Sequence, residues 1–187
     1  MRTHELSDHC ICVIPARGGS KRVPRKNIRN LKGKPILALT VELATHSGLF
    51  QRVIVSTDDS EIAAIAREAG AEVPSLREHT LADDSIGLLP VVQHAIQEIG
   101  ASTGDGNPLL CCLLPTAALI SKSDLLRSYT SIRGETRRTF LTAATQYSHP
   151  IERALRRDAG GNAIPNDPNA LSKRTQDCQE LWHDAGQ

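Results

Sequence analysis

Residues 10–27 read CICVIPARGGSKRVPRKN, and the two halves of this stretch obey different chemistry. Residues 10–16, CICVIPA, form the short, apolar, β-branched run expected of a buried strand. Residues 17–27 then set Gly18 and Gly19 among five basic side chains. Those charges cannot assist a core, so a negatively charged ligand is expected on them. Between Arg17 and Lys34 there are eight Lys or Arg and no acid, which leaves 14 basic residues against 21 acidic ones in the rest of the chain. A local positive field on a slightly acidic body suits a small polyanion such as a nucleoside triphosphate. A nucleic acid is not the expected partner, because long-stretch binding favours a broadly basic face with stacking aromatics, and aromatics make up 3% of this chain.

Outward from this stretch, strands alternate with helices. Pro35 suits the first turn of a helix that Gly48 stops. Residues 52–57, RVIVST, read as a second strand. Asp58, Asp59 and Ser60 offer caps for a helix with Ile62, Ile65, Ala66 and Ala69 on one face and Gly70 at its end. Residues 71–74 suit a short third strand, and 75–85 a polar loop. A helix over 89–99 would turn Leu89, Val92, Ile96 and Ile99 inward. Residues 109–114, LLCCLL, make another apolar strand. Ser121 caps a helix with Asp124 in its first turn and Leu125, Leu126, Tyr129 and Ile132 at apolar positions. Residues 139–145 suit a further strand. Beyond Ser148, Pro150, the Gly160-Gly161 pair and residues 166–169 (NDPN) are turn signals of a hairpin or flap. This alternation predicts a three-layer, Rossmann-like α/β fold with a mainly parallel sheet, in one domain over residues 1–187. Such sheets bind ligands outside the carboxyl ends of their strands, which is where the basic loop leaves the first strand.

In that loop, the glycines permit positive φ and close approach of backbone N–H groups to a phosphate. Ser20 adds a hydroxyl, Arg17 a bidentate fork, and Lys21 a mobile point charge. Asn27 carries an amide that could read a base edge or simply turn the chain. Neither the Walker pattern nor G-x-G-x-x-G is present. The five cysteines show no C-x-x-C spacing, and four lie in apolar runs, as expected of buried thiols in a reducing compartment. No apolar run is long enough to span a bilayer and the first residues lack a signal-peptide core, so a cytoplasmic protein without membrane contact is expected.

Residues 14–28, IPARGGSKRVPRKNI, followed by GKPI at 33–36, closely resemble the opening of the acylneuraminate cytidylyltransferases, enzymes that make CMP-activated nine-carbon sugar acids. Residues 56–62 (STDDSEI), Arg77 with 81–85 (LADDS), and 114–117 (LPTA) are similar to later segments of that family. The ending, 173–177 (KRTQD) and 183–187 (HDAGQ), is similar to the pseudaminic acid branch rather than the sialic acid branch. The resemblance implies a nucleotidyltransferase fold and one reaction: the anomeric hydroxyl of a sugar acid attacks the α-phosphate of CTP, and pyrophosphate leaves. It implies a triphosphate cradle of Arg17, Gly19, Ser20, Lys21 and Arg22, with Ala16 and Gly18 also nucleotide-binding and Arg17 and Lys21 as the catalytic residues. Asn27, Arg77 and Ser85 would contact cytosine or its ribose, and Arg174, Gln176, His183 and Asp184 would face the sugar. It implies Mg²⁺ as cofactor, and a homodimer formed through an inserted segment at about 146–177.

Each assignment has a plainer counterpart. Arg77 would serve as a solvated loop arginine, Ser85 as a helix cap, Arg174 as half of a surface ion pair, and His183 as a local hydrogen-bonding group. Asp58 and Asp59 read as caps before metal ligands. The sequence also departs from the family. Ala118 and Glu78 stand where proline is common, and Trp182 where the pseudaminic acid branch favours Tyr. The family pattern continues past the position of Gln187 into a strand and helix with an Asp-x-Asp pair for Mg²⁺. The sequence ends at Gln187, which leaves the metal ligands unassigned and an edge strand for a partner to cover. The alternative expectation is therefore a CTP-binding homologue without turnover.

Overall fold

The first apolar run forms strand β1 (Cys10–Pro15), the middle of the sheet. The structure, a computed structural model, describes residues 10–81, 86–100, 109–133 and 140–186. After β1 the basic loop leads to a small hairpin of β2 (Asn30–Leu31) and β3 (Lys34–Pro35). The hairpin was not anticipated from the sequence. Its turn places Lys32 and Gly33 at φ 52° and 92°, the left-handed pair that a tight two-residue turn requires. Helix α1 (Ile36–Ser47) follows Pro35 and stops at Gly48 in the left-handed region. Then come β4 (Arg52–Ser56), α2 (Ser60–Glu68), α3 (Leu88–Glu98), β5 (Leu109–Cys112) and α4 (Lys122–Ile132).

Strands β4, β1 and β5 lie side by side in that order, all parallel. Alternation along β1 sorts its side chains onto two faces. Cys12, Ile14 and Ala16 join Val53 and Val55 of β4 against Leu37 and Val41 of α1, Ile62 and Ala66 of α2, and Leu125 of α4. Ile11, Val13 and Ile54 face the other way and meet Val92 and Ala95 of α3. Helices thus cover both faces, and the three-layer parallel arrangement expected from the sequence is the one that forms. Both faces of the strands are buried, which is why they read as unbroken apolar runs.

Three expectations change in detail. The third strand shrinks to single bridges, Ile54 with Glu72 and Thr57 with Leu76. Helix α3 turns Val91, Val92 and Ala95 inward, and Leu89 is 67% exposed. Val92, Ile96 and Ile99 pack against Ile11, Val13 and Ile54 as expected, and Leu89 alone of the four expected residues stays outside. The strand expected at 139–145 is β6 (Ala144–Gln146), because its antiparallel partner β9 (Trp182–Asp184) spans only three residues; residue 139 lies outside the described residues. Cys10 and Cys12 are buried as expected, and burial pushes the Cys10 thiol up to about 12.

The chain divides into two compact units, the first ending at Thr139 and the second spanning Phe140–Gly186. The second unit contains the β6–β9 pair and a hairpin of β7 (Leu155–Arg157) with β8 (Ala163–Pro165). Gly160 and Gly161 turn that hairpin, as their sequence suggested, and Asp158 accepts hydrogen bonds from Asn162 there. Among the described residues, no helix is long and apolar enough to cross a membrane.

Candidate functional site

The strand order reverses beside β1: the chain first steps to β4, then returns to the other flank at β5. A crevice is expected there, outside the carboxyl ends of the strands. A cavity of about 790 Å³ occupies that position, lined in part by Pro15 of β1, by Leu114, Pro115 and Thr116 after β5, and by Val91 of α3. Its polar wall comes from the basic loop. Arg17, Ser20, Lys21, Arg22, Lys26 and Asn27 all line it, with Arg77 on another side. Five of these carry positive charge, and no carboxylate is among the described lining residues.

Each wall is held by backbone or side-chain contacts. Residues 72–77 run beside β4: Glu72 N–H donates to the Val53 carbonyl at 2.8 Å, and Arg77 N–H to the Thr57 carbonyl at 2.7 Å. This extended pairing carries Arg77 to the carboxyl end of the sheet. The Thr40 hydroxyl on α1 donates to the Pro115 carbonyl at 3.0 Å and ties down the turn after β5.

Arg77 is 6% exposed, so the reading of a solvated loop arginine does not hold. One of its terminal nitrogens lies 3.7 Å from Asp58, and its Nε is buried without a hydrogen-bond partner. Burial pushes its pKa down, opposed by Asp58 and reinforced by the nearby Arg17 charge. A buried donor without a partner is costly, and an acceptor on a ligand would remove that cost.

Asn27 is also buried. Its Nδ2 donates to the Arg17 carbonyl at 2.9 Å, across the base of the loop. The glycines work differently from expectation. Neither Gly18 nor Gly19 is among the residues at positive φ. Gly18 N–H donates to Asp58 Oδ1 at 3.0 Å, and a Cβ on Gly18 would lie 2.6 Å from Asp59 Oδ2. Gly18 is therefore needed for the close approach of Asp59, and its amide is held by the adjacent Asp58. Ser20 N–H donates to the Gly18 carbonyl at 3.0 Å. Ala16 is fully buried in the core beneath the loop. Asp59 caps α2 by accepting from Ile62 N–H, as the sequence suggested.

The structure thus gathers Arg17, Ser20, Lys21, Arg22, Asn27 and Arg77 around one cavity. Ser85 lies outside the described residues. The other four candidates belong to the second unit, and three of them have local partners there. Arg174 pairs with Asp177 through two hydrogen bonds of 2.7 and 3.0 Å, and Gln176 sits in the adjoining turn. His183 on β9 contacts the Tyr147 ring at 4.7 Å between centroids, and its Nδ1 lies 2.8 Å from the Asp184 carbonyl. Asp184 accepts from Gly186 N–H at 2.8 Å. Sequence reasoning missed Lys26 as a lining residue, and Pro115 and Thr116 as a wall. The charge run containing Lys26 was visible, but its direction was not.

The sequence pattern of the cytidylyltransferase family matches residues 11–156. Pseudaminic acid cytidylyltransferase of Campylobacter jejuni subsp. jejuni serotype O:2 is 41% identical over 177 residues, 94% of this chain and 75% of that protein. CMP-N,N'-diacetyllegionaminic acid synthase of Legionella pneumophila subsp. pneumophila is 46% identical over 82 residues, 44% of this chain and 35% of that protein. Among solved structures, CMP:2-keto-3-deoxy-manno-octonic acid synthetase complexed with CTP shares the fold, with a TM-score of 0.68 over 95% of this chain and 72% of that one, at 18% identity. With its parallel sheet, its cationic cavity at the strand ends and a family pattern covering most of its length, the chain belongs to the cytidylyltransferase family and is a nucleotidyltransferase.

Proposed function

We propose that the protein transfers CMP from CTP to a nonulosonic acid of the pseudaminic type and releases pyrophosphate. The observation that carries the reading is the cavity itself, where five cationic side chains converge at the carboxyl end of β1, one of them Arg77 with a buried, partnerless Nε. The anomeric oxygen forms a bond to the α-phosphorus, the bond from the α-phosphorus to the oxygen shared with the β-phosphate breaks, and the hydroxyl proton passes to solvent. Negative charge grows on the departing pyrophosphate, and Arg17, Lys21 and Arg22 are suited to stabilise it. Arg77 supplies donors that suit the O2 and N3 acceptors of cytosine. Among the described residues no three His, Cys, Asp or Glu side chains gather for a metal, and the cationic wall does not fit one. The expected Mg²⁺ would arrive bound to the triphosphate.

The choice of sugar rests on coverage. The pseudaminic acid enzyme aligns along 94% of the chain and the legionaminic acid enzyme along 44%. Arg174, Gln176, His183 and Asp184 are proposed as the sugar-side contacts, of which Arg174 has the group suited to a carboxylate. A coupled pyrophosphate assay with CTP, UTP, GTP and ATP, each with a panel of nonulosonic acids, tests the reading. Turnover is expected with CTP and fastest with pseudaminic acid. CTP binding without pyrophosphate release for any acid would instead support binding without turnover.

We also propose a homodimer formed through residues 146–177. Leu155, Ile164 and Leu171 of this segment are exposed by 61%, 43% and 52%, an apolar surface that favours a partner. Light scattering on the eluting protein is expected to give twice the chain mass, and the chain mass after Leu155→Glu with Ile164→Glu. A monomer in the unsubstituted protein would refute the assignment.

A further inference from the structure

A loop that presents several cations to one cavity must hold them together before an anion arrives, against their mutual repulsion. Three contacts pin this loop. Asp58 accepts from Gly18 N–H near its start, and Asn27 donates to the Arg17 carbonyl across its base. The third contact lies outside the cavity. Arg25 turns away from its basic neighbours, and its guanidinium donates to both oxygens of Asp59, one of them at 3.2 Å, and to Glu61. Its backbone adopts φ 54°, a left-handed conformation unfavourable for a residue with a Cβ. Asp59 in turn caps α2 through Ile62 N–H at 3.0 Å and packs against Gly18, where only a glycine fits. One carboxylate thus touches both ends of the cationic loop and the rigid start of a helix. The Arg25 fork holds the Asp59 carboxyl below its usual range, and the Ile62 N–H adds to this. A depressed carboxyl contributes stability above its unfolded pKa and loses it as pH falls through the folded value. The contact is therefore complete at neutral pH and weakens only below about pH 4.

We propose that Arg25 and Asp59 form a positioning pair that holds the cationic loop in its ligand-ready shape, although neither lines the cavity. The proposal rests on the reading that CTP occupies that cavity. Between the pinned ends, Ser20, Lys21, Arg22 and Val23 line the cavity while Arg25 faces α2. Losing the pair frees the loop's second half and spreads its charges, so CTP must reorder the loop on binding. That cost falls on nucleotide affinity more than on the chemical step once CTP is bound.

The test compares CTP affinity by calorimetry, and KM and kcat, for the unsubstituted protein, Arg25→Ala, Asp59→Asn, the double variant and Lys21→Ala. Asparagine preserves the cap of α2 and removes only the charge. Each single substitution is expected to raise the CTP Kd and KM about 10- to 100-fold, with a smaller change in kcat. The double variant is expected to be no worse than the weaker-binding single, since both remove the same contact. Arg25→Lys should recover only part of the loss, because an ammonium lacks the fork. Amide hydrogen exchange in residues 19–26 of the free protein should quicken in Arg25→Ala. Unchanged CTP affinity in Arg25→Ala, or losses that multiply in the double variant, would overturn the proposal. If Asp59→Asn does not fold, the two Arg25 variants decide alone, because Arg25 is 40% exposed and its loss opens no core. Lys21→Ala separates the two readings. If it weakens CTP binding and Arg25→Ala does not, the positioning pair fails and the cavity stands; if it has no effect, the cavity reading itself fails.

Discussion

Replacing Arg17 and Lys21 together with alanine is expected to weaken CTP binding by about 10²- to 10⁴-fold. Each side chain lines the cavity, and a hydrogen bond to a charged group contributes about 1.5–3 kcal/mol. Two such contacts, allowing for incomplete additivity, give roughly 3–6 kcal/mol, at 1.4 kcal/mol per tenfold. Stability should change little, because Lys21 is exposed and Arg17 only half-buried at a loop. Raising the salt concentration should weaken CTP binding by the unsubstituted protein more steeply than binding by the double variant. Calorimetry at matched ionic strength reads this directly. Equal CTP affinity in the two proteins would remove the loop from the site.

Arg77→Met should show a different signature. Methionine keeps much of the volume but none of the donors. Asp58 retains Gly18 N–H and loses its guanidinium neighbour, so a loss of about 1–3 kcal/mol in stability is expected. CTP affinity should fall about 10- to 100-fold, because Arg77 lines the cavity with an Nε that has no partner in the protein, and methionine offers no donor in its place. Adding Asp58→Asn should return part of the stability, since the uncompensated carboxylate is gone. It should not return the affinity. Recovery of both together would mean that Arg77 acts only as a structural ion pair. Thermal melts paired with calorimetry on the three variants distinguish these outcomes.

Much of the fold could be read from short segments. Strands β1 and β4 are unbroken apolar runs because helices bury both of their faces, and Asp59, Ser121 and Gly48 mark helix ends through local chemistry. What depended on partners was less legible. The 71–74 segment is extended, but it meets β4 at single bridges. Of the inward face expected for α3, Val92, Ile96 and Ile99 pack on the sheet and Leu89 does not, because the helix turns Val91 and Ala95 inward instead. β6 is short because its partner β9 is short.

The same division holds at the site. The cations were visible as a run, and the strand preceding them fixed the end of the sheet they occupy. The directions of those cations were not visible. Arg25 is as basic as Lys26, yet one grips α2 and the other lines the cavity. The contacts of Asp58 with Gly18 and of Arg25 with Asp59 join residues 40 and 34 positions apart, beyond the reach of any local pattern. Gly18 illustrates the limit: the sequence marks the need for a small residue, and only the neighbouring carboxylate explains it.

The central claim is that the loop after β1, with Arg77 opposite, encloses a cytosine nucleotide. A crystal of this protein soaked with CTP tests it most directly. Phosphate oxygens should lie within hydrogen-bonding distance of side chains or amides in residues 17–22, with the cytosine edge at Arg77. Nucleotide density elsewhere, with residues 17–22 facing solvent, would contradict the account.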